Sequence, residues 1–129
     1  MIQRIQSFYL LLVILLSASL SYGFFVTEYA VKLASLFFES FVFFAILILA
    51  IISLLLYTKR KLQILFCLFL ILLNLIHVII YGYMIFNGSE EMIHYAVVSI
   101  SLIETLFLIL ARQAILKDEK LVRSIDRIR

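Results

Sequence analysis

The sequence predicts an all-α polytopic membrane protein, with four transmembrane helices and a cytoplasmic amphipathic C-terminal helix. Three observations carry this expectation. Of 129 residues, 66% are hydrophobic and 15% charged, with a mean hydropathy of +1.21, far from the roughly 45–50% apolar content of soluble domains. The apolar residues gather into four runs close to the ~20 residues a helix needs to cross a hydrocarbon layer of about 30 Å. Ten of the 11 Lys and Arg residues stand before the first run, between the second and third, or after the fourth. The chain, 1-129, therefore reads as a single membrane domain without room for a soluble one.

Helix one is expected at about 5-26, behind a short head bearing Arg4. Ser17-Ala18-Ser19 would suit signal-peptide cleavage, but the run is long enough to span and reads as a retained helix. Ser17 with Ser21 and Ser19 with Gly23 form small-xxx-small pairs, a pattern that lets a neighbouring helix approach. From Thr27 to Ala34 the composition becomes mixed. Glu28 and Lys32 stand at i, i+4, and Phe24, Phe25 and Tyr29 supply the rings enriched at headgroup level, so an interfacial turn or short helix is expected there.

Helix two follows at about 35-57, with Glu39 in its first turns, where a carboxylate can snorkel to water and meet the positive end of the helix dipole. Lys59-Arg60-Lys61 is the densest basic run, and helix three takes about 62-86. Asn87-Gly88-Ser89-Glu90-Glu91 is the clearest turn signal, and helix four takes about 92-111. In the tail, 112-129, Ala114, Leu121, Val122, Ile125 and Ile128 recur at helical spacing opposite Lys120, Arg123 and Arg127.

Orientation follows from the cations. With four spans every Lys and Arg except Lys32 falls on one side, and the positive-inside rule makes that side the cytoplasm. Three or five spans would split the clusters. The expected location is the bacterial inner (cytoplasmic) membrane, multi-pass, with both termini cytoplasmic and the lipid bilayer as the first partner.

Helices three and four each carry a polar line. Gln63, Cys67, Asn74, His77 and Tyr81 follow one another by four, seven, three and four; His94, Ser101, Thr105 and Arg112 by seven, four and seven, with Glu104 beside Thr105. Centring the turn on Ser89 makes residues of the two arms level when their numbers sum to about 178, pairing Asn74 with Glu104 and His77 with Ser101. Counting from Lys61 and Arg112 instead gives about 173, roughly 7 Å away. The short, local turn is the better guide.

An ionised carboxylate in hydrocarbon costs about 2.5–3.5 kcal/mol on insertion scales, so Glu104 needs company. Three readings stay open: a pair with Asn74 or His77, or a protonated carboxyl bonded back to its helix, fixing the hairpin register; a contact with another membrane protein or a second copy; and a proton or ion path. The tail residues Lys117, Lys120, Arg123 and Arg127 allow anionic headgroups, a cytoplasmic partner, or a solvated helix braced by Glu119–Arg123 and Arg123–Asp126 pairs.

Chemistry is otherwise thin. The sequence holds no glycine-rich phosphate loop, HExxH, GxSxG or CxxC. One cysteine, Cys67, makes neither an intrachain disulfide nor a multi-cysteine metal site. A haem clamped by His77 and His94 is disfavoured, because His94 falls about two turns further out. With three glycines and no proline, broken transporter helices lack support. No cofactor, no metal, no nucleic acid and no enzymatic activity are expected.

Met1-Ile2-Gln3-Arg4-Ile5-Gln6 with Tyr9-Leu10-Leu11-Leu12, the Lys59-Arg60-Lys61-Leu62-Gln63 loop, and Lys117-Asp118-Glu119-Lys120-Leu121-Val122-Arg123-Ser124 resemble a Bacteroidota family of small four-helix integral membrane proteins of unknown function, DUF family 4293. Its members usually close on Ala-Asp-Arg-Leu-Arg, where this chain has Ile125-Asp126-Arg127-Ile128-Arg129. The resemblance implies four spans in the inner membrane and carries over no functional residues. The sequence thus favours an accessory or scaffold subunit using the hairpin's polar face and the tail; the alternative is a small oligomeric transporter or proton-coupled carrier using Glu104 and His77.

Overall fold

Lipid offers no partner for a backbone N–H or C=O, so apolar runs of this length satisfy themselves as helices. The computed structural model describes residues 2–31, 34–88 and 92–126, with side chains at 5–23, 25–26, 42–88 and 92–124. Every regular element among them is helical: α1 (Ile2–Val31), α2 (Ala34–Leu55), a 3-10 turn (Leu56–Thr58), α3 (Arg60–Phe86) and α4 (Met92–Asp126). Three are long and apolar enough to cross a membrane, over Ile5–Gly23, Arg60–Phe86 and Met92–Ser124; Val42–Thr58 forms a shorter apolar helix.

The helices form a ring. α1 packs on α2 and α4, and α3 packs on α2 and α4, with the α3–α4 seam the most extensive and α2–α3 the loosest. Cross-contacts show that neighbours run antiparallel. Gln6 reaches Ala114 while Ser17 reaches Glu104; Phe43 meets His77 while Ser53 meets Cys67. Between α3 and α4, Arg60 pairs with Asp118 and Asn74 faces Glu104, so level residues sum to about 178.

That register begins at the turn. Asn87 N–H donates to the Tyr83 carbonyl (3.1 Å) and Gly88 N–H to Ile85 (3.0 Å). Gly88 closes the helix at φ +89°, left-handed backbone that glycine adopts without a Cβ clash. At the other end, α2 passes to α3 through the 3-10 turn and Lys59, whose N–H donates to Leu56 at 2.9 Å.

Burial runs inside out. Among the described residues, ten of the buried ones are polar or charged against thirteen apolar, whereas soluble cores rarely bury such groups. Meanwhile Leu65, Leu72, Ile79 and Leu106 point outwards, Ile79 at 70% exposure. An apolar exterior around a polar seam is the partition hydrocarbon solvent imposes.

Two boundaries differ from expectation. The mixed composition after Val26 does not interrupt α1, which continues to Val31, because it contains neither proline nor a run of turn formers. The tail is not a separate helix after Arg112: α4 runs unbroken for 35 residues, about 52 Å, with Ala111 and Ile115 fully buried. Positive charge marks where a helix can leave hydrocarbon, whereas helix propensity through Ala114 to Lys120 sets where it ends. The pairings expected of Glu28 with Lys32 and of Arg123 with Asp126, the placement of Tyr29 and Glu39, and Ser89, Glu90, Glu91 and Arg127 lie outside the described residues and side chains.

Candidate functional site

The buried residues of α3 are Gln63, Cys67, Leu70, Asn74, His77 and Tyr81, the predicted polar line with one leucine completing its period. On α4 the buried polar set is Ser101, Glu104 and Thr105. Asn74 stands near the middle of α3, about 18–20 Å of helix from either end, and Glu104 lies level with it. The deepest polar layer of the bundle is there.

Glu104 is 1% exposed, and its hydrogen-bond partner comes from α1: Ser17 Oγ lies 2.9 Å from Glu104 Oε1. The same Oγ lies 2.9 Å from the Val13 carbonyl oxygen. A carbonyl only accepts, and a hydroxyl has one proton to give. Ser17 can donate to Glu104 Oε1 or share its proton with Val13, and it can donate wholly to Val13 only when the carboxyl, in its acid form, donates to Ser17. A carboxylate would compete with Val13 for that proton.

The remaining predicted residues are close by without closing a network. Asn74, fully buried, sits beside the Glu104 carboxyl as a second polar neighbour, though neither of its amide atoms makes a hydrogen bond of good geometry. Ser101, also fully buried, leaves its Oγ without a hydrogen bond. The expected level pairing of His77 with Ser101 is not a hydrogen bond. Instead His77 Nδ1 lies 2.8 Å from the Leu73 carbonyl, which fixes the proton on Nδ1, and its ring stands 4.7 Å from that of Phe43 on α2. Tyr81 continues the aromatic set, 6.4 Å from His77 and 5.4 Å from His94.

Nearer the end of the bundle where Arg60 meets Asp118 a second polar layer appears. Gln6 Nε2 donates to the Ala114 carbonyl at 3.2 Å, and Ser53 Oγ meets Cys67 Sγ at 3.6 Å. Among the described residues no group of three His, Cys, Asp or Glu could hold a metal ion.

Both ends of the hairpin's polar line therefore point into the bundle, and α1 covers its centre. The residues expected to make the hairpin's polar contact lie inside the bundle: Asn74, Ser101 and Glu104 are at most 1% exposed. Sequence reasoning missed Ser17, reading it with Ser21 as packing. Ser21 is buried and donates to the Ser17 carbonyl at 2.8 Å. Ser19 points outwards, and among the described residues a Cβ on Gly23 would meet nothing within 4 Å.

On the tail, Lys117, Lys120 and Arg123 are exposed, and Arg123 pairs with Glu119 at 2.6 Å. A family model described as "Domain of unknown function (DUF4293)" matches residues 24–128. The chain belongs to this family. DUF4293 thereby covers α2, α3 and α4, including Asn74, His77, Ser101 and Glu104, whereas Ser17 precedes the matched region. No curated protein and no solved structure matches the chain.

Proposed function

We propose that this DUF4293 chain is a non-enzymatic, four-span protein of the bacterial inner membrane, with both ends cytoplasmic, acting as an accessory or scaffold subunit. In this reading the buried layer around Glu104 holds the four helices in register, and the end of α4 makes the external contact with another membrane protein or a second copy. One observation carries it: α4 continues past the level of Arg60 and Asp118, where α3 begins, and there exposes Leu121 and Val122 beside Lys117, Lys120 and Arg123. Apolar groups flanked by cations, on a helix end that reaches past the start of α3, suit a partner surface.

Charge reversal at Lys117 and Lys120 tests this. Loss of co-purifying or self-associated protein, with thermal stability unchanged, is the expected result; unchanged association would remove the tail from the account.

A second reading, the small oligomeric or proton-coupled carrier, is favoured by one specific observation: the Asn74 amide and the Ser101 hydroxyl, neither in a well-formed hydrogen bond, are buried around an acid. A carrier loses proton-coupled uptake in Glu104→Gln while its assembly stays intact. A scaffold has no such uptake to lose.

A further inference from the structure

The last turns of α4 lean over the link between α2 and α3 and enclose an open groove of ≈ 750 Å³, lined by Tyr57, Lys59, Lys61, Leu62, Val122 and Arg123 among others. Its charges do not cancel. Arg60, also lining it, is paired with Asp118 at 3.2 Å, and Arg123 with Glu119 at 2.6 Å. Both nearby acids are thus engaged, while Lys59 and Lys61 are exposed and make no ion pair among the described residues. Two positive charges are left facing the groove.

One turn further in, the chemistry changes. A second groove, of ≈ 290 Å³ and lined by Leu49, Leu65, Phe66, Leu68, Phe69 and Leu72, follows the α2–α3 seam, the loosest of the ring. Lys61 and Leu62 precede Leu65, Leu68, Phe69 and Leu72 at steps of three, four and seven, so they share one face of α3. A cationic cup and an apolar groove therefore lie about one turn apart on the same face of α3.

We propose that these two grooves form one seat for an anionic phospholipid, its phosphate between Lys59 and Lys61 and an acyl chain along the α2–α3 seam. The ammonium groups supply the charge, Tyr57 supplies an aromatic ring of the kind that settles at headgroup level, and the leucines and Phe69 supply a surface that soluble phosphates cannot use. The seat shares Val122 and Arg123 with the end of α4, whereas Lys117 and Lys120 line neither groove and so report on the partner contact alone.

The chain has no tryptophan, so a single Phe69→Trp variant of the full-length protein reports on the apolar groove alone. Reconstituted in phosphatidylcholine vesicles, its fluorescence is titrated with brominated-chain phosphatidylglycerol or brominated-chain phosphatidylcholine. The expected result is a preference of about 30-fold for the anionic lipid, the equivalent of about 1 kcal/mol from each of the two lysines near the surface. It should fall towards unity in Lys59→Gln/Lys61→Gln, return in Lys59→Arg/Lys61→Arg, and persist in Lys117→Gln/Lys120→Gln. Equal quenching by both lipids overturns the proposal, as does a preference that survives loss of Lys59 and Lys61. An equal preference at an Ile79→Trp reporter on the outer half of α3 would reduce the seat to a general lipid annulus, and displacement of the bromolipid by soluble glycerol phosphate would assign the cup to a soluble ligand. Either result also overturns it.

Discussion

Replacing Glu104 by glutamine and by alanine separates what the buried acid does from what it could do. Glutamine keeps the volume and carries an amide N–H that can donate to Ser17 Oγ while Ser17 donates to Val13, a pattern that accommodates both 2.9 Å contacts. The Glu104→Gln protein is therefore expected within about 1 kcal/mol of the native one. Alanine removes the bond, worth about 0.6 and at most ~1.7 kcal/mol between membrane helices. It also opens a cavity at a site 1% exposed, where comparable truncations cost about 2–5 kcal/mol. A loss of about 3 kcal/mol is expected for Glu104→Ala. Unfolding of the full-length protein in mixed micelles, followed by far-UV circular dichroism as denaturing detergent is raised, reads both differences. A glutamine variant as unstable as the alanine one would refute this pattern, because it would mean that the layer depends on a carboxylate.

Two further substitutions test the frame around that layer. Ser17→Ala should cost about 1–3 kcal/mol by leaving the Glu104 carboxyl buried without its partner. Ser19→Ala, on the outer face and bonded only to its own helix at Leu16, should stay within about 0.5 kcal/mol in the same assay. Gly88→Ala should cost about 1 kcal/mol, since the position holds φ +89° with open space around it; equal stability would mean that the turn relaxes readily to another shape.

The residues that sequence reasoning placed well are those whose neighbours are set locally. The α3 line from Gln63 to Tyr81 was legible because helical period alone decides which side chains share a face. The level of Asn74 with Glu104 was legible because a short turn at Gly88 joins the two arms. Ser17 was not, because α1 and α4 are joined through two intervening helices, so no local turn sets their register. A serine four residues from another serine also reads equally as packing and as a hydrogen-bond donor. His77 shows a second limit: level with Ser101 by count, it turns its Nδ1 to the Leu73 carbonyl and its ring to Phe43 on α2. Arg112 shows a third, since its charge suggested an exit while α4 stays within the bundle to Ile115.

Topology is tested most directly by single-cysteine labelling with a membrane-impermeant maleimide, in a Cys67→Ser background, at Lys59, Asn87 and Lys120, all exposed. A four-span bundle in which all four antiparallel helices cross predicts labelling of Lys59→Cys and Lys120→Cys from the cytoplasmic face alone, and of Asn87→Cys from the outer face alone. Labelling of Lys59→Cys and Lys120→Cys from opposite faces would contradict it, and with it the mid-membrane placement of Glu104.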